Sequence, residues 1–361
     1  MANQEDRSLL TRAWRGRRRL SSLLEVAVTD IHPVPGSDPA RRTVLRSPGF
    51  RLAVGVIISV ACLVLLFRDV QPRSLLAVLA SVDRRWVAAA VLAVVPAFVA
   101  TTLRWRLLLL PSGVVPVWRA GRLLAVAYLL NLVFPARPGD ILRCYLVGRP
   151  TGPAFGTALT TVVVEKALDG AAVVLMLLIL FGQVAPLPWL RHGVDAAGLV
   201  FAMLLLAAAA VAAAGDQSGR LAARIFRRHP VLASRAGVVS DRIRAGTRAF
   251  ARPGALIGIL SLTALVWLAT LATAFSLAAA FGLEVPPAVP ALALGAATLG
   301  LVVPAAPGGI GAYQVLVLAV LTPAGVPAAT ALGFGLALQF CQILPLAALG
   351  VVALPFVRRE V

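Results

Sequence analysis

Lysine is almost missing from this sequence: all of its 34 basic residues except Lys166 are arginine, and residues of either charge fill only 14% of 361 positions. An ordinary soluble domain carries roughly a quarter charged residues. With 60% hydrophobic residues beside so few charges, a single water-soluble domain is excluded. Cysteine is scarce too. Cys62, Cys144 and Cys341 are too scattered for a disulfide framework or a C-x-x-C metal pair, and they read as packing residues. The three histidines, His32, His192 and His229, lie far apart in the sequence. They support neither a metal cluster nor a Ser/His/Asp or Cys/His set. The expectation is a non-enzyme with no catalytic residue, no metal and no cofactor.

What fills the chain is long apolar runs. Full spans are predicted over about 50–67, 86–103, 154–182, 187–214, 254–282 and 328–357, each reaching or exceeding the ~18 residues needed to cross a bilayer. Two further apolar regions, 120–149 and 288–322, are split by proline clusters. Each half then reaches roughly 18 to 22 Å at 1.5 Å per residue, short of a ~30 Å hydrocarbon core. The predicted fold class is an all-α polytopic membrane protein with six full spans and two re-entrant helix hairpins; eight spans is the alternative.

Arginines gather between the spans rather than in one patch, which argues against nucleic acid as a partner. With the N-terminus inside, 28 arginines fall on the cytoplasmic side and five outside, at Arg68, Arg73, Arg84, Arg85 and Arg191. That bias predicts both termini in the cytoplasm. Residues 1–49 hold nine arginines and break at Pro33 and Pro35. They read as a disordered cytoplasmic tail that, with the basic loop 215–252, faces anionic lipid. Arginine in place of lysine, with much alanine and glycine, points to a GC-rich bacterial genome and hence the plasma (inner) membrane.

The two interrupted regions repeat each other. Phe134-Pro135-Ala136-Arg137-Pro138-Gly139-Asp140 matches Val303-Pro304-Ala305-Ala306-Pro307-Gly308-Gly309 in P-A-x-P-G. Each is followed by a short half-helix, a Thr/Gly/Pro turn and a full span. The first repeat then occupies 50–182 and the second 187–357, with inverted topology, an arrangement in which broken helices meet near the midplane and form a substrate site. Proline kinks in two ordinary helices are the competing explanation. Backbone groups freed at these turns must face protein or a wet cavity, and a helix starting near residue 140 or 309 is suited to an anion such as a lipid phosphate.

Glu165, Lys166 and Asp169 fall 11 to 15 residues into the span 154–182, or roughly 17 to 23 Å from its start. Each charge there costs about 2.5 to 3.5 kcal/mol unless paired or wet. Glu165 and Asp169 share a face, with Lys166 offset by about 100°. They suit either a polar cavity or a tie to Arg137 or Arg143. Asp140 and Arg143 are spaced to pair, leaving Arg137 for a phosphate. Asn131 is placed to hydrogen-bond across the turn, and Gln314 and Gln339 occupy the mirror positions in the second repeat. Gly308, Gly309 and Gly311 lack the preceding strand and following Lys-Ser/Thr of a phosphate loop.

In order, Asn131-x3-Pro135-x-Arg137-x-Gly139-Asp140-x2-Arg143, Glu165-Lys166-x2-Asp169 and Pro304-x2-Pro307-Gly308-Gly309-x-Gly311 resemble the transmembrane domain of lysylphosphatidylglycerol synthases and their flippase-like relatives, over about 50–357. The resemblance implies a lipid-translocating module. It implies substrate contacts at Asn131, Arg137, Asp140, Arg143, Glu165, Lys166, Asp169, Gly308, Gly309, Gly311, Gln314 and Gln339. The soluble synthase domain of the family is not expected in a chain ending at Val361. Three positions depart from the pattern: the family usually has an acid at Gln314, an arginine at Gln339 and an arginine at Lys166. Losing one charge of each sign together is what replacing an ion pair by an amide pair looks like. The expected function is a lipid flippase or transporter for phospholipids or lipid-linked molecules. A non-transporting membrane partner of a glycosyl- or aminoacyl-transferase is the alternative. Expected partners are membrane lipids, and beyond them a membrane enzyme or a second copy of the chain.

Overall fold

The computed structural model describes residues 70–134, 137–149, 152–181, 188–214, 241, 243–301, 309 and 311–358. The tail 1–49, the span 50–67, most of the loop 215–252, the turn prolines Pro135, Pro304 and Pro307, and Gly308 lie outside them. The described residues are helical, in one compact unit from Pro48 to Val361. Ten α-helices have both ends defined among them. The first four are α1 (Pro72–Ser81), α2 (Arg84–Leu109), α3 (Val117–Val133) and α4 (Pro138–Val147). After α5 (Phe155–Leu180) and α6 (Pro188–Ala214) come α7 (Pro253–Ala280), α8 (Ala288–Gly300), α9 (Ala312–Leu321) and α10 (Ala328–Arg358).

Local chemistry sets these boundaries. Asp83 caps α2, its Oδ1 accepting the Arg85 N–H at 2.8 Å. Proline opens α1, α4 and α7 at positions where its missing N–H costs nothing. Gly282, at φ +60°, closes α7 in a Schellman arrangement, with Leu283 N–H donating to Ala278 O and Gly282 N–H to Ala279 O. Gly325, at φ +90°, does the same after α9.

Four described helices, α2, α6, α7 and α10, are long and apolar enough to cross a membrane. The 26-residue α5 matches them in length and differs by holding its three charges near the middle of the helix. The chain is a polytopic helical membrane protein.

The segments 120–149 and 288–322 are hairpins. In the first, Arg119 near the start of α3 donates to Leu146 O at the end of α4, and Gly113 before α3 lies beside Pro153 after α4. Entry and exit are therefore on one side. In the second, α8 packs against α9.

Contacts among helices repeat under one exchange: α2 for α7, α3 for α8, α4 for α9, α5 for α10. The pairs α2–α3, α3–α4, α4–α5 and α2–α5 each have their counterpart. So does the cross-repeat pair α3–α10, whose image is α5–α8. The equivalent helices α2 and α7 run antiparallel. Along α2 and α7, Ala90 meets Thr273, Arg104 meets Thr263 and Leu107 meets Gly258, so one number rises as the other falls. Antiparallel equivalents are what an inverted repeat requires.

Lipid tails give helices no hydrophobic reason to associate, so small residues that permit close approach hold such bundles together. A Cβ added at Gly350 in α10 would sit 2.4 Å from Ala125 O in α3, and one added at Gly295 in α8 would sit 2.6 Å from Leu177 in α5. Both of these contacts join one repeat to the other, and both are made by glycine.

Candidate functional site: a charge network inside the helix bundle

The first hairpin is pinched where its halves cross. A Cβ at Gly139 would lie 2.1 Å from Ala127 O, so only glycine fits. The Gly139 N–H donates to Asn131 Oδ1 at 2.9 Å, across the turn. Arg137 caps α4 with φ +53°, the one described non-glycine residue in the left-handed region, a conformation costing roughly 1 kcal/mol or more. This geometry delivers Asp140 to the first turn of α4, where the helix dipole favours an anion, and Arg143 to the turn after it.

From Arg143 a chain of ion pairs joins three helices, α4, α5 and α2, and a hydrogen bond extends it to a fourth, α7. Its Nη2 lies 3.1 Å from Asp140 Oδ1 and 3.2 Å from Glu165 Oε1, while Nη1 reaches Glu165 Oε2 at 3.4 Å. Its guanidinium also stacks 4.7 Å from the Trp105 ring centre, a cation–π contact. Glu165, 1% exposed, is approached by Lys166 Nζ at 3.8 Å and Arg104 Nη2 at 4.0 Å. Arg104 forks onto Asp169, Nη1 to Oδ1 at 2.7 Å and Nη2 to Oδ2 at 3.1 Å. Such a two-pronged pair is the strong form of the interaction. Arg104 also donates to Thr263 Oγ1 at 3.1 Å, which brings in α7 from the other repeat.

Arg104, Arg143 and Glu165 are buried, whereas Asp140, Asp169 and Lys166 keep 19%, 24% and 43% of their side chains exposed. Arg137 is exposed, and its only described polar contact is a long 3.5 Å bond to Leu301 O at the end of α8. Counting Arg137, four cations face three carboxylates. The Nε atoms of Arg104 and Arg143 are buried without a hydrogen-bond partner among the described residues.

The second hairpin repeats the design without charge. Gly309 and Gly311 take φ +74° and +95°. The Gly311 N–H donates to Gln314 Oε1 at 2.7 Å, and Gln314 Nε2 donates to Gln339 Oε1 at 2.5 Å. Gln314 and Gln339 are both buried. The tie from α9 to α10 thus stands where Arg143 and Glu165 tie α4 to α5.

The structure brings Asp140, Arg143, Glu165, Lys166 and Asp169 into one network, sets Arg137 and Asn131 at its hairpin turn, and holds Gly311, Gln314 and Gln339 in a separate cluster. Gly308 lies outside the described residues. Sequence reasoning missed Arg104, Trp105 and Thr263. It ended the second span at residue 103 and counted Arg104 among cytoplasmic flanks. The helix runs to Leu109, and the signal was present in the apolar run Leu107–Leu110 beyond the arginine. Nothing in the sequence marks Thr263 among the other threonines of α7.

The profile of the lysylphosphatidylglycerol synthase TM region matches residues 52–350. The chain belongs to that family. Within it, a similar curated protein is the Haloferax volcanii protein named glycosyltransferase AglD, 27% identical over 321 residues. The match covers 78% of this chain and 51% of the relative, so the chain spans about half the length of the protein it matches. The family's membrane region is therefore what the two share, and the network of α2, α4, α5 and α7 lies within it.

Proposed function

We propose that the protein moves phospholipids or lipid-linked molecules between bilayer leaflets, without catalysing a reaction, in the plasma membrane with both termini in the cytoplasm. The observation that carries this reading is the partly exposed charge network, three cations to three carboxylates, with the exposed Arg137 beside it at the hairpin turn. Charges placed inside a membrane are costly and mark substrate paths by default. A lipid headgroup must pass through the membrane interior to change leaflet, and an anionic phosphate matches the surplus cation, Arg137. Buried Nε donors on Arg104 and Arg143 add hydrogen-bonding capacity for headgroup or water oxygens. The family membership and the arginine bias across the spans support membrane lipid as the substrate and the stated orientation.

Reconstitution tests it. Liposomes containing the protein and fluorescent phosphatidylglycerol should exchange label between leaflets faster than empty liposomes, and Glu165→Ala should abolish the gain. Equal rates for wild type, variant and empty liposomes would refute transport.

The name of the Haloferax relative favours one second reading, a non-transporting membrane support for a glycosyl- or aminoacyl-transferase. A transferase that co-purifies stoichiometrically, with no leaflet exchange by the protein alone, would select it.

A further inference from the structure

An apolar groove of about 630 Å³ runs between α5 and α7 and extends to the start of α8. It follows α5 from Leu168 to Leu180, roughly 18 Å at 1.5 Å per residue, about the depth of one leaflet in a ~30 Å core. The polarity of its two ends differs. Thr263 is the one polar side chain among its described lining residues, and it stands at the Leu168 end. There its hydroxyl accepts from Arg104, the partner of Asp169. Asp169 precedes Ala172 and Met176 on the same helical stripe of α5, and both of those line the groove. At the other end stand Ile179, Leu180, Phe275 and Pro287, which offer a headgroup no donor or charge.

A lipid resting in its own leaflet has its headgroup at the surface and its chain ends at the midplane. This groove asks for the reverse. We propose that it holds one hydrocarbon chain of an anionic lipid whose headgroup lies at mid-membrane against the Arg104–Asp169–Thr263 end of the charge network, so that the chain points toward the surface at Leu180. The assignment rests on the lipid-carrying reading above and specifies the pose in which the lipid is held. An isolated charge would draw a headgroup without orienting a tail. The juxtaposition of a polar end at mid-depth with an apolar surface end sets the direction.

The pose is measured with two photoreactive phosphatidylglycerols, one bearing a diazirine at the end of a chain and one bearing it near the ester, each incorporated into liposomes with the full chain. After irradiation, modified residues are mapped by mass spectrometry. The inverted pose places chain-end adducts on Ile179 and Phe275 and ester-end adducts on Leu168 and Thr263. Chain-end adducts on Leu168 and Thr263 are the pattern of ordinary surrounding lipid and overturn the proposal. Ala264→Trp, which fills the groove, should lower its adducts at least tenfold while those on lipid-facing Leu206 of α6 stay constant; equal labelling of both sites in wild type and variant also overturns it. Should Ala264→Trp fail to fold by gel filtration, Ala171→Phe obstructs the same groove from α5. Leaflet exchange accompanied by the ordinary pattern would sink this inference and leave the transport reading intact; an inverted pattern without exchange would do the opposite.

Discussion

Arg104 of α2 and Asp169 of α5 meet fork to fork, at 2.7 and 3.1 Å, in the interior of the bundle. Arg104 is 1% exposed, and its remaining contacts are the Thr263 hydroxyl and Glu165. Removing its partner strands a buried guanidinium, a loss of about 3 to 5 kcal/mol when a buried pair is broken from one side. Asp169→Ala should therefore lower the melting temperature in detergent sharply. Arg104→Lys should not preserve stability, because an ammonium cannot reproduce the planar fork. A melting curve for Arg104→Lys equal to wild type would show that the fork is not needed.

Glu165 and Arg143 invite a double-variant cycle. Either Glu165→Leu or Arg143→Met leaves an uncompensated charge, whereas removing both ends of a buried pair is often close to neutral. The pair Arg143→Met with Glu165→Leu should be less destabilised than the sum of the single changes, with a coupling of about 1 to 3 kcal/mol. Additivity in thermal unfolding would mean that the two groups act independently.

The two hairpins are tied unequally. A charged network joins α4 to α5 and α2, while the Gln314–Gln339 bond, of a class with a net value near 1 kcal/mol, joins α9 to α10. The second hairpin should open more often. Hydrogen–deuterium exchange should be faster across 312–321 than across 139–147, and Gln339→Leu should widen the gap. Slower exchange in α9 would contradict the ranking.

Glycine supplies an internally controlled comparison. Gly350→Ala would drive a Cβ to 2.4 Å from the Ala125 carbonyl, but Gly193 in α6 has nothing within 4 Å of its added Cβ. Gly350→Ala should reduce yield and melting temperature. Gly193→Ala should raise stability by about 0.5 to 1 kcal/mol through helix propensity alone.

The architecture was legible because bilayer physics leaves strong marks: span length and paired P-A-x-P-G breaks each follow from a constraint of hydrocarbon. The Gln314–Gln339 contact was legible as well, since loss of opposite charges together implies a shared site. Arg104 escaped because an arginine at a span end and one inside the bundle look alike to a positive-inside count; only the four apolar residues after it separate the cases. Thr263 and the groove it ends were beyond sequence reading, since they depend on which faces of α5 and α7 meet, and α7 is apolar all round.

The central claim is that two hairpins enter the membrane from opposite sides. Four single cysteines, Val114→Cys, Ala154→Cys, Glu284→Cys and Pro323→Cys, in a background lacking Cys62, Cys144 and Cys341, would be exposed to a membrane-impermeant maleimide in oriented vesicles. The account predicts that positions 114 and 154 label from the cytoplasmic side and positions 284 and 323 from the opposite side. Labelling of 114 and 154 from different sides, or of 284 and 323 from different sides, would mean straight crossings and would contradict it.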